Sequence, residues 1–128
     1  MKSCYPTPKD TPEKLKIVRD NLTKVSFIDK SIILDIGGIS SYYDVLKVTF
    51  SQGELYLLNI NPNEVKEVNN AIVGDATRLP FRNESIDVIT SFDLVEHLIN
   101  PDDFLEESFR ILKWGVVCDF NAQLSRLL

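Results

Sequence analysis

The sequence predicts an α/β fold built on an open, mostly parallel sheet, and three observations lead there. Short apolar runs of strand length, Ser31–Ile36, Glu54–Ile60 and Ile86–Ser91, each stop at a glycine, asparagine or acidic boundary. Ser31–Ile36 and Ile86–Ser91 are nearly continuous in their apolar character, as strands covered on both faces are. Between the runs lie stretches with helical spacing, so crossovers rather than hairpins join the strands, and such crossovers are right-handed.

Composition sets the frame for function. The chain has 128 residues, about one domain, with 44% apolar and 26% charged residues, the balance of a folded globular protein. Lys and Arg total 14 against 19 Asp and Glu, a net charge of -5 that disfavours nucleic-acid binding, since phosphate recognition needs a basic face. No apolar run approaches the roughly 20 residues needed to span a bilayer. Met1–Asp20 is polar, carries three prolines and lacks the apolar segment of a signal peptide. Cys4, Cys118 and the single His97 have no metal-ligand spacing. These features predict a reduced, cytoplasmic protein without metal or membrane segment.

The elements follow in order. Met1–Asp10, with Pro6 and Pro8, reads as an irregular arm. Thr11-Pro12-Glu13 opens a helix with a hydroxyl N-cap, proline at the first position and acid in the first turn. Leu15, Val18 and Leu22 then carry that helix from about Pro12 to Lys24. Residues 1–30 thus form an arm and helix ahead of a domain over 31–128. Ser31–Ile36 is the first strand, closed by Gly37-Gly38; Tyr42, Val45, Leu46 and Phe50 suit one face of a short helix. Glu54–Ile60 is a strand stopped by Asn61-Pro62-Asn63, and the polar stretch to Asn70 holds at most two helical turns. Ala71–Val73 and Ile86–Ser91 are strands. Asn100-Pro101-Asp102-Asp103 reads as an N-cap for a helix whose buried stripe is Leu105, Phe109 and Leu112, with Gly115 closing it. Val116–Phe120 is a further strand, parallel to Ile86–Ser91, followed by a stub helix to Leu128.

In such sheets ligands lie beyond the carboxyl ends of the strands. The residues there are Asp35-Ile36-Gly37-Gly38, Asn59-Ile60-Asn61-Pro62, Gly74-Asp75-Ala76 and Ser91-Phe92-Asp93. With the stretch Ile72–Phe81 (I-V-G-D-A-T-R-L-P-F), Ser85–Ile89, Glu96-His97, Phe104-Leu105 and Arg110–Gly115, the chain resembles the class I S-adenosylmethionine-dependent methyltransferases of the type 11 branch, from about Ile32 to Gly115. The resemblance implies a Rossmann-like fold, S-adenosyl-L-methionine as cofactor, and a small or undetermined methyl acceptor.

It also implies roles for particular residues. Asp35 and Gly37 match the start of the family's D-x-G-x-G loop, with Gly38 beside them in the implied cofactor site, where glycine lets the backbone approach the ligand and the carboxylate reaches the methionine amine. A plain strand-to-helix turn is the alternative for these residues. A dinucleotide fold is disfavoured, because G-x-G-x-x-G is absent and a carboxylate would repel a pyrophosphate. Asn59, followed by Ile60, stands where the family carries an acid for the ribose hydroxyls; an ordinary turn accounts for the same residues. Without charge assistance that contact is weaker, so Asn59→Asp is expected to strengthen cofactor binding. Asp75 would receive the adenine amino group with the Ala76 N–H near the ring, or else cap a local turn. Ser91 and the segment to His97 would line the acceptor side, with His97 either a base or a packing and capping residue, and Glu96 its orienter.

Several departures from the family pattern stand out. Ile39 occupies the second loop glycine, Asn59 the acid, and Trp114-Gly115-Val116 follows Lys113 where Pro-Gly-Gly is usual. The family continues past its fifth strand with a helix and an antiparallel pair, whereas only eight residues follow Phe120. The expectation is a C-terminally truncated domain without its edge strands. Val116–Phe120 would then be an open edge that invites a homodimer. A catalytically degenerate domain acting as a binding or partner module is the rival to a working methyltransferase.

Overall fold

A computed structural model describes residues 31–49, 51–91, 94, 97–119 and 124–127. The helix expected over Pro12–Lys24, and Glu96, lie outside them. The strands are Ile32–Ile36 (β1), Glu54–Asn59 (β2), Ala71–Val73 (β3), Ile86–Ser91 (β4), Leu112–Asp119 (β5) and Leu124–Leu127 (β6). The helices are Ser40–Thr49 (α1) and Pro101–Ile111 (α2), with a single 3₁₀ turn at Pro62–Val65. One sheet contains all six strands, in the order β3-β2-β1-β4-β5-β6. Every pairing from β3 to β5 is parallel and β5–β6 is antiparallel. The expected α/β, Rossmann-like architecture is present, with β1 at the centre and the strand order reversing between β1 and β4.

The central strands are covered on both faces, which explains their apolar sequences. Leu34, Ile36, Leu58 and Ile89 form one face and pack with Phe104 and Ile111 of α2 and with Ala76, Leu79 and Leu112. Side-chain alternation puts Ile33, Asp35, Leu55, Leu57, Val88 and Thr90 on the other face, and all six are buried. Leu46 of α1 is also fully buried. No helix among the described residues is long and apolar enough to cross a membrane.

A guanidinium fork ties α2 to the loop after β3. Arg110 donates to the carbonyls of Leu79 and Phe81 at 2.9 and 2.7 Å and to the Glu107 carboxylate at 2.8 and 2.9 Å. Glu107 in turn accepts the Leu79 N–H at 2.7 Å. A planar donor set satisfies several loop carbonyls at once, which a point charge could not do.

The structure corrects the C-terminal elements and one cap. The helix ends at Ile111 rather than Gly115, because Leu112 turns extended to fill the core and already pairs with Ile86. Between the pairs Ile86–Leu112 and Val88–Val116, the single residue Asp87 of β4 faces three of β5, so Lys113-Trp114-Gly115 forms a bulge inside a strand. The stub helix is replaced by β6, whose Leu124–Leu127 pairs with Val116–Asp119. The Val116–Phe120 edge is therefore not open, and the ground for a homodimer through it is removed. Asn100 does not cap α2 through its side chain; its amide donates to Asp103 Oδ2 at 2.9 Å, with Pro101 at the first helical position.

Phe104 is the largest fully buried side chain and joins α2 to the sheet. Phe104→Ala should lower stability by about 3–5 kcal/mol in urea unfolding, through lost transfer energy and a residual cavity. A loss under about 1 kcal/mol would show that α2 does not seal this core.

Candidate functional site

The parallel ladders bring the chosen residues to one edge. Ile36 pairs with Leu58 and Ser91, and Asn59 pairs with Val73, so the strand tips lie side by side. The loops beyond them are stitched across the edge as well. Gly37 N–H donates to the Leu58 carbonyl at 2.7 Å and Gly74 N–H to the Asn59 carbonyl at 3.1 Å. Asp35 and Asp75 thus belong to the same edge of the sheet, as the placement of the motifs requires.

The glycine turn has two distinct constraints. Gly37 sits at φ +80°, where an L side chain is strained, and a Cβ there would approach Leu94 Cδ1 to 3.2 Å. Gly38 needs space rather than torsion: a Cβ would collide with Asp35 Oδ2 and stand 2.9 Å from Leu57 Cγ. Ile39 has no positive φ, so the missing second glycine imposes no backbone strain.

Beneath this turn lies the Asp35 carboxyl, 1% exposed. Its Oδ1 accepts the Thr90 hydroxyl at 2.9 Å from the neighbouring strand, while Oδ2 has no partner. Burial pushes the Asp35 carboxyl up from 3.8 to about 7, and the Thr90 bond only partly opposes it. Thr90 and Leu94 were not singled out from sequence. The signal for Thr90 was a hydroxyl inside the apolar run I-D-V-I-T-S, which a buried acid on a neighbouring strand could use.

Asn59 is buried and spends both amide atoms inside the fold. Its Nδ2 donates to the Gly38 carbonyl and its Oδ1 accepts the Asn61 N–H, each at 2.9 Å. This reverses the expected sign of Asn59→Asp, because a carboxylate would face a carbonyl oxygen with no proton to offer. Ile60 beside it is 71% exposed.

Asp75 is exposed, and its Oδ1 accepts both the N–H and hydroxyl of Thr77, at 2.8 and 2.7 Å. Those bonds hold the carboxyl below its ordinary range, so it is anionic at neutral pH. The turn-capping alternative is therefore realised by one oxygen. Ala76 is buried in the core cluster. Ser91 is buried with its Oγ unpartnered. His97 is exposed, in the segment between β4 and α2, with its N–H on the Leu94 carbonyl at 3.0 Å. It is thus not a packed core residue. Among the described residues no His, Cys, Asp and Glu cluster could hold a metal.

An S-adenosyl ligand fits these features in most respects. The glycine turn leaves room for close approach, an unpartnered buried carboxylate oxygen lies beneath it, and an anionic acceptor stands at Asp75. The end of β2 differs, because its polar side chain is already engaged.

Comparison with known proteins agrees with the geometry. Residues 34–118, more than half of the chain, match the family model described as a methyltransferase domain. A demethylmenaquinone methyltransferase of Mycobacterium sp. (strain KMS) is 38% identical over 58 residues, which are 43% of this chain and 25% of that protein. Among solved structures, a Haloferax volcanii protein in complex with the Trm112 methyltransferase activator superposes with a TM-score of 0.69 at 23% identity, over 87% of this chain and 53% of that one. Phosphoethanolamine N-methyltransferase 2 of Haemonchus contortus, solved with S-adenosylhomocysteine, gives 0.68 at 22% identity, over 84% and 27%. The chain thus spans a quarter of the length of that curated relative and about half of the Haloferax protein.

The Asp35 environment has a consequence for pH. Its folded pKa of about 7 lies above the ordinary 3.8, so the fold holds this proton more tightly than the unfolded chain. The stabilisation is full below pH about 4 and is lost as pH rises through about 7. Asp35→Asn cannot titrate, so its melting temperature should gain on wild type from pH 4 to 7 and keep a constant offset above about pH 8. Parallel melting profiles across that range would show that no buried carboxyl titrates here.

Proposed function

Because the chain belongs to the methyltransferase domain family that its residues 34–118 match, we propose that it transfers a methyl group from S-adenosyl-L-methionine to a small-molecule acceptor. The observation that carries this reading is the convergence of four strand tips around a positive-φ glycine turn seated on a buried carboxylate. When bound, the cofactor supplies a methyl group on a cationic sulfonium, and its transfer is an in-line displacement that depends mainly on positioning.

The chain's own residues divide the work. Gly37 and Gly38 admit the ligand backbone-close, and Asp35 beneath them faces the cofactor's amino-acid end. Asn59 and Ile60 flank the ribose side. Asp75, already ionised, accepts the adenine amino group, and Ala76 presents its main chain beside the ring. Ser91 and His97 border the acceptor, and His97 is the base in this reading, its imidazole taking a proton from the acceptor. The family match and the methyltransferase relatives do not favour the rival of a partner module without turnover.

Calorimetry with S-adenosylhomocysteine tests this directly. Wild type should bind, and Asp75→Ala should weaken binding about tenfold by removing a charged acceptor. Absence of wild-type binding at about millimolar ligand would overturn the assignment.

A further inference from the structure

Asn59 holds two loops together with one side chain. It is 4% exposed at the last position of β2, and its main-chain carbonyl is also taken, by Gly74. Its amide nitrogen holds the Gly38 carbonyl of the turn after β1, and its amide oxygen holds the Asn61 N–H that opens the 3₁₀ turn. Gly38 has no room for a side chain, since a Cβ there would meet Asp35 and Leu57. The turn is thus held to β2 by two hydrogen bonds, the Gly37 N–H on the Leu58 carbonyl and the Asn59 amide on the Gly38 carbonyl.

Making both bonds takes a side chain that carries a donor and an acceptor and is long enough to reach both partners. An amide does so at every pH; a carboxylate does so only when protonated. We propose that Asn59 is a positioning residue whose amide locks the Gly37–Ile39 turn to the tip of β2, so that this chain shapes its cofactor pocket without a charged group at that tip. The pocket's identity rests on the reading under Proposed function; the lock does not.

Two variants separate the lock from a ribose-binding role. Asn59→Asp should weaken S-adenosylhomocysteine binding about tenfold at pH 8, because a carboxylate repels the Gly38 carbonyl. Lowering the pH to 5 should return the variant to within about threefold of wild type, because burial and the facing Gly38 carbonyl favour the protonated acid, which donates to that carbonyl again. Asn59→Ser, too short to reach both partners and unable to titrate, should be weakened alike at both pH values. The charged groups around this tip are Asp35 under Gly38, Glu64 of the 3₁₀ turn and Asp75 beyond Gly74. They are common to all three proteins, so the ratio of variant to wild type is what is read.

Hydrogen exchange follows the lock without any ligand. Exchange across Gly37–Ile39 should quicken in Asn59→Asp at pH 8 and approach the wild-type level at pH 5, after correction for the intrinsic pH dependence. In Asn59→Ser it should be quick at both. An Asn59→Asp protein that binds S-adenosylhomocysteine at pH 8 as tightly as wild type, with an unchanged turn, would overturn the proposal. If wild type binds no S-adenosylhomocysteine, the assignment of the pocket fails, and the exchange comparison still decides for or against the lock.

Discussion

The position of β1, hydrogen-bonded in parallel to β2 on one side and β4 on the other, is the constraint from which the site follows. The chain leaves β1 to build β2 and β3 outward in one direction, then returns to build β4 and β5 in the other. The loops after β1 and β4 therefore diverge, and a crevice opens where the strand order reverses. Gly37, Ser91 and Leu94 lie at that opening. The paired ladder ends that place Asn59 and Val73 beside it are what allow residues 40 positions apart in sequence to share one edge.

Burying polar atoms at this central point is costly, and among the described residues two of the three unpartnered buried side-chain oxygens lie here, the third being Ser108 Oγ in α2. Asp35 Oδ2 and Ser91 Oγ are buried and unpartnered, while Asp35 Oδ1, Thr90 and Asn59 are paired. An unsatisfied buried polar group costs about 1–3 kcal/mol, so retaining two at the crevice is unfavourable for folding alone. The remainder of the central sheet is apolar and well packed, with Leu34, Ile36, Ile89 and Phe104 almost wholly removed from water. The cost of these unpartnered atoms is offset by the apolar core beside them.

Much of this was legible in the sequence, for identifiable reasons. Ala71–Val73 and Ile86–Ser91 form strands with the expected bounds, because apolar runs flanked by glycine and serine leave little freedom in length. The convergence of the strand tips followed from the parallel arrangement. The C-terminal part was read less well. Lys113-Trp114-Gly115 resembles a turn in sequence, yet the register lets it become a bulge within β5. Leu124–Leu127 has helical spacing, and an unfilled strand edge overrides that local pattern by offering hydrogen bonds. The role of Asn59 was illegible because residue type alone gives no direction for a side chain: the same amide can face outward to a ligand or inward to Gly38.

The two carboxylates at the edge show why position matters more than residue type. Asp35 precedes the glycine turn after β1 and Asp75 follows Gly74 after β3, but burial raises one toward neutrality and Thr77 lowers the other. An acceptor for an amino group is most effective when ionised and reachable, conditions that Asp75 meets and that burial opposes at Asp35. Asp35 instead lies under a glycine whose missing Cβ makes space for its oxygen, where a cationic ligand group arriving above would favour its ionised form. Binding there would release the proton that the empty fold prefers to keep, so ligand affinity at this turn must rise with pH through the neutral range. A ligand bound there would thereby be linked to the protonation of the buried acid, whereas Asp75 would stay charged with or without it.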